Sequence, residues 1–185
     1  MSKLAKLEEL KKELENNKAL PLRKSNLVFG EGDINCQVMF IGEAPGAKED
    51  ELKQPLVGRS GELLNSLING IGWKREDVYI TNIVKRRPPE NRDPLPDEIE
   101  SYRPYLAKQI EIINPVLIVT LGRFSMNYFL PTAKISRDQG KTSKFGNRFI
   151  VPVFHPAAAL RSTRNMEALK VAFKKIPRAL KKCES

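Results

Sequence analysis

The sequence predicts an α/β protein, a three-layer α/β/α sandwich around a central four-stranded parallel sheet. Three observations carry that expectation. Continuous apolar, β-branched runs recur near 37–42, 78–84, 116–121 and 149–154, which is how strands buried on both faces read. Amphipathic helical stretches fall between them, at about 59–71 and 97–113. Strand and helix alternating in this way imply parallel strands joined by helical crossovers, with helices on both faces.

Each element has its own signal. Leu4, Leu7, Leu10 and Leu14 recur at helical spacing among Lys and Glu, so residues 3–16 form an amphipathic helix. Residues 1–18 are expected to pack on the main body of a single domain spanning 1–185. The run Val38-Met39-Phe40-Ile41 stops at Gly42, and the strand after it is Val78-Tyr79-Ile80-Thr81-Asn82-Ile83-Val84. The helix over 97–113 opens at Pro96-Asp97-Glu98, a proline and two acids suited to a helix start, and closes before Pro115. After the strand Val116–Leu121, a short helix over 123–130 leads into a basic irregular stretch, 134–147. The strand Phe149–Phe154 and a last helix over about 164–182, with a basic face, complete the chain.

Composition narrows the function. Lys and Arg number 32 against 22 Asp and Glu, a net charge of +10, which concentrates polyanions near the surface. Nucleic acid is the leading partner class, with charge for solubility the alternative. No apolar run approaches membrane-spanning length and the start MSKLAKLEELKKELENN lacks a secretory core, so a monomeric cytoplasmic protein with no membrane contact is expected. Cys36, Cys183 and the single His155 are too few and too dispersed for a disulfide framework or a cysteine-rich metal site. No metal and no cofactor is expected.

In a sheet of this kind ligands gather where the carboxyl ends of the strands converge, which singles out 42–60, 82–96, 122–125 and 155–165. Gly42-Glu43-Ala44-Pro45-Gly46 brings backbone amides close to a ligand, or simply turns strand into helix. Val57-Gly58-Arg59-Ser60-Gly61 offers a helix start to an anion, or only a cap. Asn82 ends a strand, where its amide can donate to and accept from a base edge, or satisfy a neighbouring loop. Lys85, Arg86, Arg87 and Arg92 make the next loop strongly basic, fit to follow a phosphate backbone. His155 follows the last strand, in position to donate a hydrogen bond to charge that develops in a transition state.

Taken in order, four segments resemble the thermostable iron-sulfur uracil-DNA glycosylases of family four. They are Gly42–Gly46 with Glu49-Asp50; Pro55-Leu56-Val57-Gly58-Arg59-Ser60-Gly61; Thr81–Lys85 with Arg87-Pro88-Pro89 and Asn91-Arg92; and His155-Pro156 through Leu160-Arg161. Phe29-Gly30-Glu31-Gly32, Tyr105-Leu106 and Gln109-Ile110 extend the likeness from about residue 19 to the last helix. The resemblance implies an enzyme that flips uracil out of double- or single-stranded DNA and hydrolyses its N-glycosidic bond, leaving an abasic site. It implies a uracil pocket of Glu43, Ala44, Leu56, Asn82 and His155, with His155, Glu43 and Glu49 in catalysis. It assigns DNA contacts to Arg59, Ser60, Lys85, Arg87, Asn91, Arg92, Leu160, Arg161 and Arg164, Leu160 serving as the wedge that fills the space left by the flipped nucleotide.

Two departures stand out. The family holds its cluster with four cysteines, and the matching positions here are Asn17, Leu20, Arg86 and Tyr102, so no cluster is expected and Arg86 over Tyr102 is a candidate replacement contact. Leu56 stands where the family has a phenylalanine that stacks on uracil. That leaves two alternatives to uracil cleavage: a non-catalytic binder of uracil-containing or abasic DNA, or a glycosylase for another deaminated base such as hypoxanthine.

Overall fold

A computed structural model describes residues 1–185. Six strands form one sheet: β1 (Glu31–Gly32), β2 (Val38–Gly42), β3 (Tyr79–Asn82), β4 (Leu117–Leu121), β5 (Ser143–Phe145) and β6 (Arg148–Val153). Their order is β1-β3-β2-β4-β6-β5. The inner four, β3-β2-β4-β6, are parallel and coincide with the four strands read from the sequence. The expected four-stranded sheet is therefore too small, because β1 and β5 add antiparallel edges. These edge strands are two and three residues long and largely exposed, so they leave no apolar run to read.

Helices cover both faces: α1 (Lys3–Asn16), α2 (Ala47–Leu52), α3 (Arg59–Gly70), α4 (Pro96–Ile113), α5 (Arg123–Phe129), α6 (Ile135–Asp138), α7 (Pro156–Ala159) and α8 (Thr163–Glu184). The stretch 134–147 thus holds a short helix and a strand rather than being irregular throughout. Every residue of β2, β3 and β4 is buried, and successive side chains go to opposite cores. Met39, Ile41 and Ile118 join Leu7, Leu10, Leu14, Tyr102 and Leu106 under α1 and α4. Val38, Phe40, Val119 and Val151 join Leu64, Ile68, Phe173 and Ile176 under α3 and α8. Phe40 and Phe173 stack at 5.8 Å.

Helix α1 docks through Leu7, Leu10 and Leu14, all buried, whereas Leu4, read as part of the same stripe, is exposed. These three buried leucines contribute about 1.5–3 kcal/mol each to its docking. Below it, Tyr102 donates from its hydroxyl to the Pro21 carbonyl at 2.7 Å, and Asn17 donates to the Tyr105 hydroxyl at 2.8 Å. Arg86 lies by the Tyr102 hydroxyl and donates to the Ser25 carbonyl at 2.6 Å, so the replacement contact runs through polar atoms and not through the ring face. Leu20 is buried in the same core. The four positions that the resemblance assigns to an iron-sulfur cluster thus offer an amide, an alkyl chain, a guanidinium and a phenol. None is a thiolate, and such a cluster does not fit them.

Candidate active site at the carboxyl edge of the sheet

The parallel register puts Gly42 beside Asn82, and Leu121 beside Val153. The residues that follow these strand ends therefore meet at one edge of the sheet. There a cleft of about 600 Å³ is lined by Glu43, Ala44, Pro45 and Gly46 from the first loop, Pro88 and Asn91–Pro94 from the second, Gly122–Phe124 from the third, and Phe154, His155, Ala157, Ala158 and Arg161 from the fourth. Ile135 and Asn165 close its rim.

His155 is the N-cap of α7, and its Nδ1 accepts the Ala157 backbone N–H at 3.0 Å. Burial pulls its pKa down to about 4, against an upward pull from Glu49, so the ring is neutral at pH 7. Because a backbone N–H can only donate, Nδ1 carries no proton and Nε2 must carry it. The site thus holds a neutral imidazole with one fixed donor. The cap and the donor are two ends of one ring, so capping α7 leaves Nε2–H free.

Glu43 shares the cleft. Burial, with Asp93 adding repulsion, raises its pKa to about 7, while the Phe124 backbone and Arg123 oppose the rise. A Cβ on Gly122 would strike the Glu43 carboxylate, and Gly122 holds φ at +90°, so only glycine serves at this point. Ala44 lies alongside, half-buried, and has no group able to act as a base.

Asn82, Leu56 and Glu49 do not line the open cleft. Asn82 is 2% exposed and its side chain forms no hydrogen bond within the protein. Its Oδ1 abuts Gly42 at the spot a Cβ would occupy, and Leu56 Cδ1 is 3.8 Å from the same spot. Asn82 and Leu56 therefore flank Gly42, on the glycine that begins the first loop. Leu56 is buried at a left-handed φ of +49°. Glu49 accepts the backbone N–H groups of Val57 and Gly58 at 3.3 and 3.4 Å, which fastens α2 to the loop that carries Leu56.

The cationic residues separate into two groups. Lys85 does not reach DNA: it is fully buried, with Nζ donating to Gln109 Oε1 at 2.6 Å, to the Phe29 carbonyl at 3.4 Å and to Thr81 Oγ1. Burial lowers its pKa far below the usual lysine value. The residue sits one strand turn beyond Asn82, where its side chain points into the core formed with α4. Arg92 is tied to Glu98 by two hydrogen bonds, at 2.7 and 2.9 Å, and Arg87 donates to Asn91 Oδ1 at 2.6 Å, both at the cleft mouth or beside it. Arg59, Leu160, Arg161 and Arg164 are exposed, and Ser60 is half-buried at the start of α3. Leu160, 38% exposed, is an apolar side chain at the rim, directly before Arg161.

Arg123 is a site residue that no sequence motif marked. Its guanidinium lies 4.8 Å from the Phe124 ring centroid and pairs with Asp93 at 3.3 Å, joining the third loop to the second across the cleft. The strand-end rule singles out 122–125 as a segment without choosing a residue, since the acidic partner Asp93 lies 30 residues away in sequence.

The family model described as the uracil DNA glycosylase superfamily matches residues 29–181. The type-4 uracil-DNA glycosylase of Saccharolobus solfataricus is 46% identical, over 85% of this chain and 77% of its own. Those of Archaeoglobus fulgidus and Thermotoga maritima are 43% and 40% identical, each over more than four-fifths of both chains.

Proposed function

The chain belongs to the uracil-DNA glycosylase superfamily, and on that premise we propose that this DNA-repair enzyme draws uracil out of the stack and hydrolyses its N-glycosidic bond at the cleft edge. The observation that carries the mechanism is the tautomer of His155. Its Nδ1 is engaged by the Ala157 N–H, so Nε2–H is the donor left for the base.

When the bond between base and sugar breaks, its electron pair stays with the base. Negative charge then spreads onto the exocyclic oxygens of uracil, and a fixed neutral donor stabilises that anion without giving up its proton. The sugar becomes cationic and is captured by water, which loses a proton to yield the abasic site. Neither Ala44 nor any other residue at that point activates the water, which fits a dissociative order of events. Glu43, poised near neutrality, supplies a carboxylate facing the cationic sugar in the fraction of molecules where it is ionised. Glu49 acts one step removed, by holding the loop that carries Leu56.

Base recognition falls to Asn82. Its amide is not engaged by any side-chain hydrogen bond within the protein, and the edge of a pyrimidine offers it both an acceptor and a donor. Closure around the flipped base would bring Asn82, Leu56 and the Gly42–Gly46 backbone into one pocket with His155. A second reading, a different deaminated base as substrate, draws on Leu56, an aliphatic side chain where stacking on uracil calls for an aromatic ring. The exposed residues Arg59, Arg161 and Arg164, with Arg87 and the wedge Leu160, are proposed to grip the DNA strand around the cleft. Labelled duplexes holding uracil, hypoxanthine or no lesion, treated with alkali after incubation, test the proposal. Cleavage at uracil supports it, cleavage only at hypoxanthine moves the substrate, and binding without cleavage rejects the enzyme.

A further inference from the structure

The net charge of this protein is not spread over its surface. Residues 141–185 carry eleven Lys and Arg against two acidic residues, a net of +9, which leaves the first 140 residues at +1. A charge kept for solubility mixes both signs across the surface, so segregation of this degree points to a polyanionic partner.

Most of that charge lies on α8. Leu169, Ala172, Phe173, Ile176 and Leu180 bury one face of the helix, and the opposite face presents Arg164, Lys175, Arg178 and Lys182 at spacings that return to one side of the helix, with Lys174 and Lys181 beside them. All six are exposed. The only ion pair on α8 is Lys170 with Glu167, at 3.9 Å, so none of the six has an acidic partner. Like charges at these helical spacings repel by about 0.2–0.5 kcal/mol per pair, a cost that an anion relieves. Lys175, Arg178 and Lys182 also line a groove of about 330 Å³, between α8 and the segment Gly140–Thr142.

The stripe starts at the cleft and leaves it. Arg161 and Asn165 line the cleft. The far end of α8 reaches Gln37, which donates to Glu184 and immediately precedes β2, at the opposite edge of the sheet. From Arg164 to Lys182 the helix rises about 27 Å. That length corresponds to about 8 nucleotides of one DNA strand at 3.4 Å each.

We propose that the basic stripe Lys175–Arg178–Lys182 of α8 is a second DNA-contacting surface, which holds the phosphates of undamaged duplex flanking the site engaged by the cleft. Charge complementarity selects the phosphate backbone, and continuity with the cleft rim selects the flank of the same duplex. The proposal rests on the chain acting on DNA but is read on lesion-free duplex, so a failure of cleavage and a failure of this surface are seen separately.

The test is the triple variant Lys175→Gln/Arg178→Gln/Lys182→Gln, with its melting temperature compared with that of the original protein to establish that it folds. Affinity for an undamaged 30-base-pair duplex is measured between 50 and 200 mM salt, alongside an RNA duplex of the same length. Three lost phosphate contacts lower the salt slope by about 2.7, so the original protein weakens about 40-fold more than the variant over that range. Single-turnover cleavage at saturating enzyme is unchanged. An unaltered slope on the DNA duplex overturns the proposal. So does a loss confined to RNA.

Discussion

Replacing His155 separates its cap from its proposed role as donor. Nδ1 caps α7 by accepting the Ala157 N–H, and Nε2–H is the donor proposed to meet the base. Removing a fixed donor from a developing oxyanion costs about 10²–10³-fold in rate, and a neutral imidazole belongs at the lower end of that range. His155→Ala is therefore expected to slow single-turnover cleavage about 10²-fold and, through the lost cap, to cost about 0.5–2 kcal/mol of stability. His155→Asn restores a capping oxygen but is too short to replace Nε2, so it recovers stability without recovering rate. The pH dependence follows from the pKa of about 4. The unfolded histidine protonates near 6.5 and the folded one does not, so stability is lost as pH falls from about 6.5 to 4, by at most about 3 kcal/mol, and His155→Asn abolishes that loss. The assay is single-turnover cleavage of uracil-containing duplex at saturating enzyme, with melting curves on the same proteins. A rate unchanged in His155→Ala, or an inflection of the cleavage rate near pH 6.5 that vanishes with the histidine, would refute the neutral-donor mechanism.

Other outcomes follow from the same geometry. Glu43, with its pKa raised to about 7, contributes stability that is full below 4.5 and lost as pH rises through 7, while the cleavage rate rises through about pH 7 as its carboxylate forms; Glu43→Gln should flatten that rate profile, and an inflection that persists assigns it to another group. Leu160→Ala, at an exposed rim position, should slow cleavage of paired uracil more than of uracil in single strands; equal losses would make Leu160 a packing residue only. Lys85→Ala should lower stability by about 2–4 kcal/mol in denaturant titrations, from the cavity and the acceptors left unpaired, and leave the salt dependence of DNA binding untouched. A reduced salt slope in that variant would return Lys85 to the DNA interface.

The inner strands were legible because burial on both faces demands continuous apolar residues, and Val38–Ile41 and Leu117–Leu121 supply them. The edges were not legible, since Glu31–Gly32 and Ser143–Phe145 are defined by pairing with β3 and β6 and carry no pattern of their own. Helix α1 was read at its full extent from leucine spacing, yet the same spacing included Leu4, which the packing leaves in solvent. The candidate site divides in the same way. His155 and Glu43 were found because the ends of parallel strands must converge, and the structure brings both into the cleft. Lys85 was misplaced because it stands beside Arg86 and Arg87 in a run that reads as one basic loop.

The sequence alone determined which segments form the parallel core strands, the edge at which the loops gather and the residue types available there, because hydrophobic periodicity and strand connectivity are local or nearly local properties. The tertiary structure decided which polar groups are out of water and what they meet there. The burial of Lys85 against Gln109, the pairing of Arg123 with Asp93 and the neutral ring of His155 all arise from residues distant in sequence or from desolvation. Desolvation and long-range contact depend on the packed solid around a group, and no spacing along the chain encodes them one residue at a time.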